Sequence, residues 1–136
     1  VVDCKKDWLG RYNTYIRCGR KSIGKHPLDL AVEMEHLGAG EILLNAIDRD
    51  GTQAGYDIEM IRKVSDAVDV PVIACGGAGG KEDLADALKN GHASAVAAGS
   101  LFVLHGRRRA VLINFPSEED RQWIYQRSGC MDDYHM

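Results

Sequence analysis

The residues best suited to chemistry lie in the stretch VIACGGAGGKEDL, residues 72–84. Four residues fit for a buried strand give way to Gly76, Gly77, Ala78, Gly79 and Gly80, and then to an acidic helix start. Backbone without side chains lets a ligand come close and permits the unusual dihedrals that aim several N–H groups at one point. A helix N-terminus adds partial positive charge, so the chemistry that fits is the binding of a phosphate. A second small-residue run, AAGS, ends in Gly99 and Ser100 and could converge on the same anion. A tight strand-to-helix turn with no ligand is the competing reading. Of Cys4, Cys18, Cys75 and Cys130, none forms a C-x-x-C pair or has a histidine at zinc-like spacing. Reduced thiols and a cytoplasmic location are expected, with Cys75 beside the glycines and able to line a pocket.

These residues need elements to position them. Residues 1–5 read as a strand end, followed by a long polar excursion with a hairpin around Gly10. Pro27 fits a helix first turn, with Leu30, Met34 and Leu37 at helical spacing and Gly38 and Gly40 closing the helix. EILLNAI (41–47) reads as a buried strand. Residues 57–68 place Ile58, Ile61, Val64 and Val68 on one helical face. Residues 70–75, 81–90 and 93–99 continue as strand, helix and strand. The order β-α-β-α-β-α-β implies right-handed crossovers and a parallel sheet buried on both faces. An open doubly wound sheet and part of a (βα)8 barrel both fit, and in either the functional residues gather at the C-terminal strand ends. Those ends carry Asp3, Asp48 with Asp50, the glycine run, and Gly99-Ser100.

Composition bounds the function. The chain has 136 residues, 45% hydrophobic and 27% charged, enough for one modest globular domain. Its formal net charge of −3 argues against general nucleic-acid or membrane binding, and no apolar run is long enough to span a bilayer. The opening VVDCKKD lacks Met and is already strand-like, so a fragment of a longer protein is expected.

The motifs GAGEILL, IDRDGT, GYD and PVIACGGAG, in that order, closely resemble the cyclase subunit of imidazole glycerol phosphate synthase. The resemblance covers roughly residues 1–104 and leaves 105–136 as a divergent C-terminal segment of the same domain. It implies the C-terminal half, strands five to eight, of a TIM-type (βα)8 barrel. It also implies a lyase-type activity in histidine biosynthesis: ammonia from a glutaminase partner crosses the barrel interior and attacks a phosphorylated ribonucleotide. Asp3 matches one of the two acid–base aspartates, the other lying in the half not present. Asp50 and Gly51 fall where the family binds substrate, and Glu41 matches the charged gate through which ammonia enters. Each has a plainer reading: a strand-end carboxylate for Asp3, a helix-start turn for Asp50-Gly51, and a surface glutamate for Glu41. No cofactor or metal is implied.

The chain also departs from that family. Cys18, Asn45 and Cys75 stand beside the ligand position where Ser or Thr is usual. The tail LFVLHGRRRAVLINFPSEEDRQWIYQ resembles a paralogous branch linked to surface polysaccharides, which supplies ammonia for acetamidino-sugar synthesis. A non-catalytic half-barrel that binds phosphate or a partner is a further reading. Four barrel strands cannot close alone, so a homodimer of half-barrels is expected. It would shield Ile42, Leu44, Val72, Ala74, Ala95 and Ala97, or their alternates. Arg107, Arg108 and Arg109 read as a solvated loop. Trp8, Tyr12 and Tyr15 read as hairpin packing or a lid.

Overall fold

The computed structural model describes residues 1–106 and 109–129. Apolar pairs and triplets at strand spacing form β1 (Val2–Lys6), β4 (Ile42–Ala46), β5 (Val72–Cys75) and the short β6 (Ala95–Val96). Between them lie α1 (Pro27–His36), α2 (Ile58–Ser65) and α3 (Lys81–Lys89). The excursion after β1 is a hairpin, as expected, continued by a third strand: β2 (Tyr12–Ile16) and β3 (Lys21–Ser22), both antiparallel. The tail adds α4 (Ser100–Val103), the pair β7 (Leu104–His105) and β8 (Ala110–Val111), and α5 (Glu118–Ser128). The main sheet runs β3-β2-β1-β4-β5-β6, with β1, β4, β5 and β6 parallel. The chain therefore has an α/β fold with a parallel sheet.

The three crossovers β1→β4→β5→β6 all advance in one direction. Right-handed connections then put α1, α2 and α3 on a single face of the sheet. Val2, Cys4, Ile42, Leu44, Val72 and Ala74 point to that face and are buried against Ala31, Met60, Ile61, Val64, Leu84 and Ala87. The alternate residues Asp3, Leu43, Asn45, Ile73 and Cys75 occupy the other face and are only partly covered. The expectation of a sheet buried on both faces is thus corrected. So is the first choice of residues on the open face: Ile42, Leu44, Val72 and Ala74 lie under the helices, and their alternates Leu43 and Ile73 take that role. Ala95, paired with Ile73, lies on the open face as expected.

Helix ends follow local chemistry. Asp57 caps α2 by accepting from the Met60 N–H at 3.2 Å, and Tyr12 Oη donates to the same carboxylate at 2.8 Å, tying the hairpin to the helix layer. Gly38, at φ +95°, ends α1 in a conformation L-residues avoid. Leu37, expected on the apolar face of α1, is 74% exposed because the helix has ended before it. Among the described residues, no helix is long and apolar enough to cross a membrane.

Candidate functional site

The register of the parallel strands aligns Asp3, Asn45 and Cys75 in one row across β1, β4 and β5, on the face opposite α1, α2 and α3. Asn45 Nδ2 donates to Asp3 Oδ1 at 3.0 Å, so the carboxylate is held by its neighbour in the row. Asn45 Oδ1 is buried and has no hydrogen-bond partner among the described residues. Burial pushes the Cys75 thiol above its ordinary range, and the nearby Asp50 carboxylate adds to the shift. Cys75 is accordingly a neutral wall residue rather than a nucleophile at neutral pH. Cys4, on the helix side, is pushed up to about 12 by burial and then by Asp57, Asp48 and Asp3.

Just beyond this row, three loops meet around a small cleft. Asp50 and Gly51 come from the loop after β4, Gly76, Gly77 and Ala78 from that after β5, and Ala97, Ala98, Gly99 and Ser100 from that after β6. Tyr56 Oη donates to the Ala97 carbonyl at 2.7 Å and pins one lip. Arg49 Nη1 donates to the Gly55 carbonyl at 3.1 Å and stiffens the loop behind the cleft.

The glycines have a second reason to be there. Gly76 and Gly77 have φ of +89° and +109°. A Cβ on Gly77 would stand 2.3 Å from the Gly55 carbonyl oxygen, and one on Gly79 would stand 2.3 Å from that of Gln53. The Gly55 N–H in turn donates to the Gly77 carbonyl at 2.8 Å. Backbone therefore packs directly on backbone between the loops after β4 and β5, a closeness only glycine allows. Gly79 does not line the cleft, and its N–H donates to Asp83 Oδ2 at 2.8 Å. Its expected place among the anion donors is corrected on that ground, because the Asp83 carboxylate already occupies the amides that open α3.

Other expected residues fall as follows. Glu41 is exposed just before β4, at the N-terminal end of the parallel strands, opposite to the cleft. Cys18 is exposed in the turn before β3. Trp8 stands 90% exposed at the β1–β2 tip, so it does not pack the hairpin. Tyr12 and Tyr15 do pack the hairpin, lying under the ammonium groups of Lys6 and Lys5 on the paired strand β1. Arg109 is not simply solvated, since its Nη2 donates to the Gly51 carbonyl at 2.7 Å. Arg107, Arg108 and Cys130 lie outside the described residues. Among the described residues no group of His, Cys, Asp or Glu could hold a metal ion. Sequence reasoning passed over Tyr56 and Arg49, although GYD and IDRDGT contain them. Their role depends on which carbonyls the fold brings near.

These features define an α/β protein whose candidate site lies at the C-terminal ends of parallel strands. The family model described as histidine biosynthesis protein matches residues 1–107, and the chain belongs to that family. It is 50% identical over 102 residues to the imidazole glycerol phosphate synthase subunit HisF of Alkaliphilus metalliredigens, covering 75% of this chain and 40% of that protein. Two further relatives carry names beginning "Putative imidazole glycerol phosphate synthase subunit", one hisF2 and one HisF. That of Pseudomonas aeruginosa is 48% identical over 115 residues, covering 85% of this chain and 46% of the relative. That of Leptospira interrogans is 46% identical over 126 residues, covering 92% and 50%. The chain spans about half the length of the curated relatives it matches.

Proposed function

We propose that this chain supplies the C-terminal half of a (βα)8 barrel, its residues 1–136 forming one domain, and that the complete barrel is the ammonia-using cyclase subunit of imidazole glycerol phosphate synthase. The observation that carries this reading is the placement of Asp3. Its carboxylate, held by Asn45, lies on the uncovered sheet face at the same strand ends as the glycine cleft. An acid–base group and an anion cradle on one rim suit a reaction on a phosphorylated substrate. In this reading the backbone N–H groups near Gly76, Gly77, Gly99 and Ser100 bind the phosphate, with Gly51 opening space and Asp50 at the rim. Asn45 and Cys75 line the floor. Asp3 moves a proton as ammonia adds and the imidazole ring closes, its partner aspartate coming from the other half of the barrel. Relatives named as synthase subunits support the assignment.

A glutaminase subunit in the cytoplasm would deliver ammonia from the opposite end of the strands, where Glu41 stands. The open face, with Leu43 and Ile73, would then be the inner wall of the barrel. It is closed by the remaining strands or, for this chain by itself, by a second copy.

The test is to incubate the intact protein with ammonia and the phosphoribulosyl-formimino aminoimidazole carboxamide ribonucleotide, and to identify products by mass spectrometry. Imidazole glycerol phosphate together with the aminoimidazole ribonucleotide is expected. An inert ribonucleotide, with ammonia reaching an acetamido sugar when the matching amidotransferase is added, would overturn the cyclase reading in favour of the paralogous branch.

A further inference from the structure

The cleft proposed to hold phosphate has an electrostatic problem. Asp50 borders it, and no residue lining it is a cation. A carboxylate beside a phosphate is repulsive, and backbone N–H groups alone must then outweigh it. Among the described residues, the Arg109 side chain reaches this place. Arg109 stands in the turn between β7 and β8, in the C-terminal segment beyond the matched residues 1–107. Its Nη2 donates to the carbonyl of Gly51, a lining residue, at 2.7 Å.

Three details distinguish this contact from a surface arginine lying on whatever is near. First, a methyl group built on Gly51 would stand 3.5 Å from Ser100 Oγ and 3.8 Å from Arg109 Nη2. The glycine thus keeps open a place that a hydroxyl and a guanidinium both border. Second, a guanidinium has five N–H donors, and the Gly51 carbonyl takes one. No carboxylate among the described residues forms an ion pair with Arg109, which leaves the guanidinium's remaining donors open to an anion at the cleft. Third, Arg109 has φ +50°, a backbone conformation costly for a residue with a side chain. The turn holds it there while the side chain reaches back across the loop.

We propose that Arg109 is a specificity-determining residue of this cleft. Its guanidinium caps the anion between Gly51 and Ser100 and selects a phosphate monoester over a neutral ligand. The planar fork matches two phosphate oxygens at once, which an ammonium does not. The proposal rests on the reading that the cleft binds phosphate, and it adds the side chain that offsets Asp50. Substrate choice then resides partly in the tail rather than only in the strand-end loops.

The experiment measures inorganic phosphate binding to the intact protein by calorimetry at several salt concentrations, for wild type, Arg109→Gln and Arg109→Lys. Thermal midpoints without phosphate serve as the check on folding. We expect Arg109→Gln to weaken binding about tenfold or more and to flatten its salt dependence, as losing one charge-assisted contact requires. Arg109→Lys should keep the salt slope and recover part of the affinity. A purely structural latch on Gly51 would lower the thermal midpoint and leave the salt slope unchanged. Equal affinity and slope in a folded Arg109→Gln protein would overturn the proposal while leaving the cleft as an anion site. Absence of phosphate binding by wild type would remove the cleft reading itself, and this proposal with it. If Arg109→Gln does not fold, Arg109→Lys decides: weaker binding with the same slope supports the role, and unchanged affinity overturns it.

Discussion

Asn45 donates its side-chain amide to the Asp3 carboxylate at 3.0 Å, across the pairing of β4 with β1. The two residues are direct partners in the register, on the same face of neighbouring strands. The bond engages Asp3 Oδ1 and restrains the carboxylate against β4.

Replacing Asn45 with Asp sets two carboxyl groups at that distance. Like charges so close cannot both ionise easily, and one carboxyl must then titrate well above the usual carboxylate range. In the intact protein, Asn45→Asp should move the acidic limb of the pH–rate profile upward by a unit or more, on the order expected for such pairs. A profile that overlays the wild type would show that the Asp3–Asn45 contact is not part of the working site.

Gly77 and Gly99 separate packing from anion binding. Gly77→Ala forces a Cβ to 2.3 Å from the Gly55 carbonyl oxygen at φ +109°, and should cost more than about 2 kcal/mol of stability. Valine at that position would damage the loop before it reached any ligand. A Cβ on Gly99 meets nothing within 4 Å, so Gly99→Val should fold with nearly unchanged urea midpoint while weakening phosphate binding. A Gly77→Ala protein as stable as wild type would contradict the backbone-on-backbone account.

Cys4 gives a pH signature. Its thiol is raised from 9.0 to about 12 in the folded chain, chiefly by burial. The folded state therefore holds its proton where the unfolded state has released it. The stabilisation is complete below pH 9 and is lost as pH rises toward 12, with a limiting slope of about 1.4 kcal/mol per pH unit. Urea titrations at pH 8 to 11 should show the decline, and Cys4→Ala should flatten part of it. A stability rising through that interval would contradict the buried neutral thiol.

How much of this could be read from the sequence depends on what each residue answers to. Helix α2 was legible because Ile61 and Val64 recur at helical spacing, and both are buried. The glycine turn was legible because its composition is local. Which of Leu43 and Leu44 faces the helices was not, since ILL and VIA carry no alternation and the answer comes from where the crossovers place α1 to α3. Gly79 looked like an anion donor because Asp83, four residues on, gives no sign of which amide it will take. Arg109 looked like solvent-facing charge because its partner, the Gly51 carbonyl, is 58 residues away in sequence.

The open sheet face makes a statement about association. Leu43 and Ile73 lie side by side across β4 and β5 on the face opposite α1, α2 and α3, each only partly buried. Apolar area of this kind is worth roughly 25 cal/mol per Å² when covered. Residues 1–136 produced by themselves should therefore dimerise at micromolar concentration in sedimentation equilibrium. Leu43→Lys together with Ile73→Lys should return them to monomer. A folded wild-type monomer that binds no hydrophobic dye would contradict this.

The most direct measurement of the central claim is ammonia-dependent turnover of the phosphorylated ribonucleotide by the intact protein carrying Asp3→Asn. Asparagine keeps the shape and can still bond to Asn45, so folding and substrate affinity should persist. Removal of an acid–base group should lower turnover by about 10²–10⁴-fold. A folded Asp3→Asn protein that binds substrate and turns it over at the wild-type rate would contradict the account.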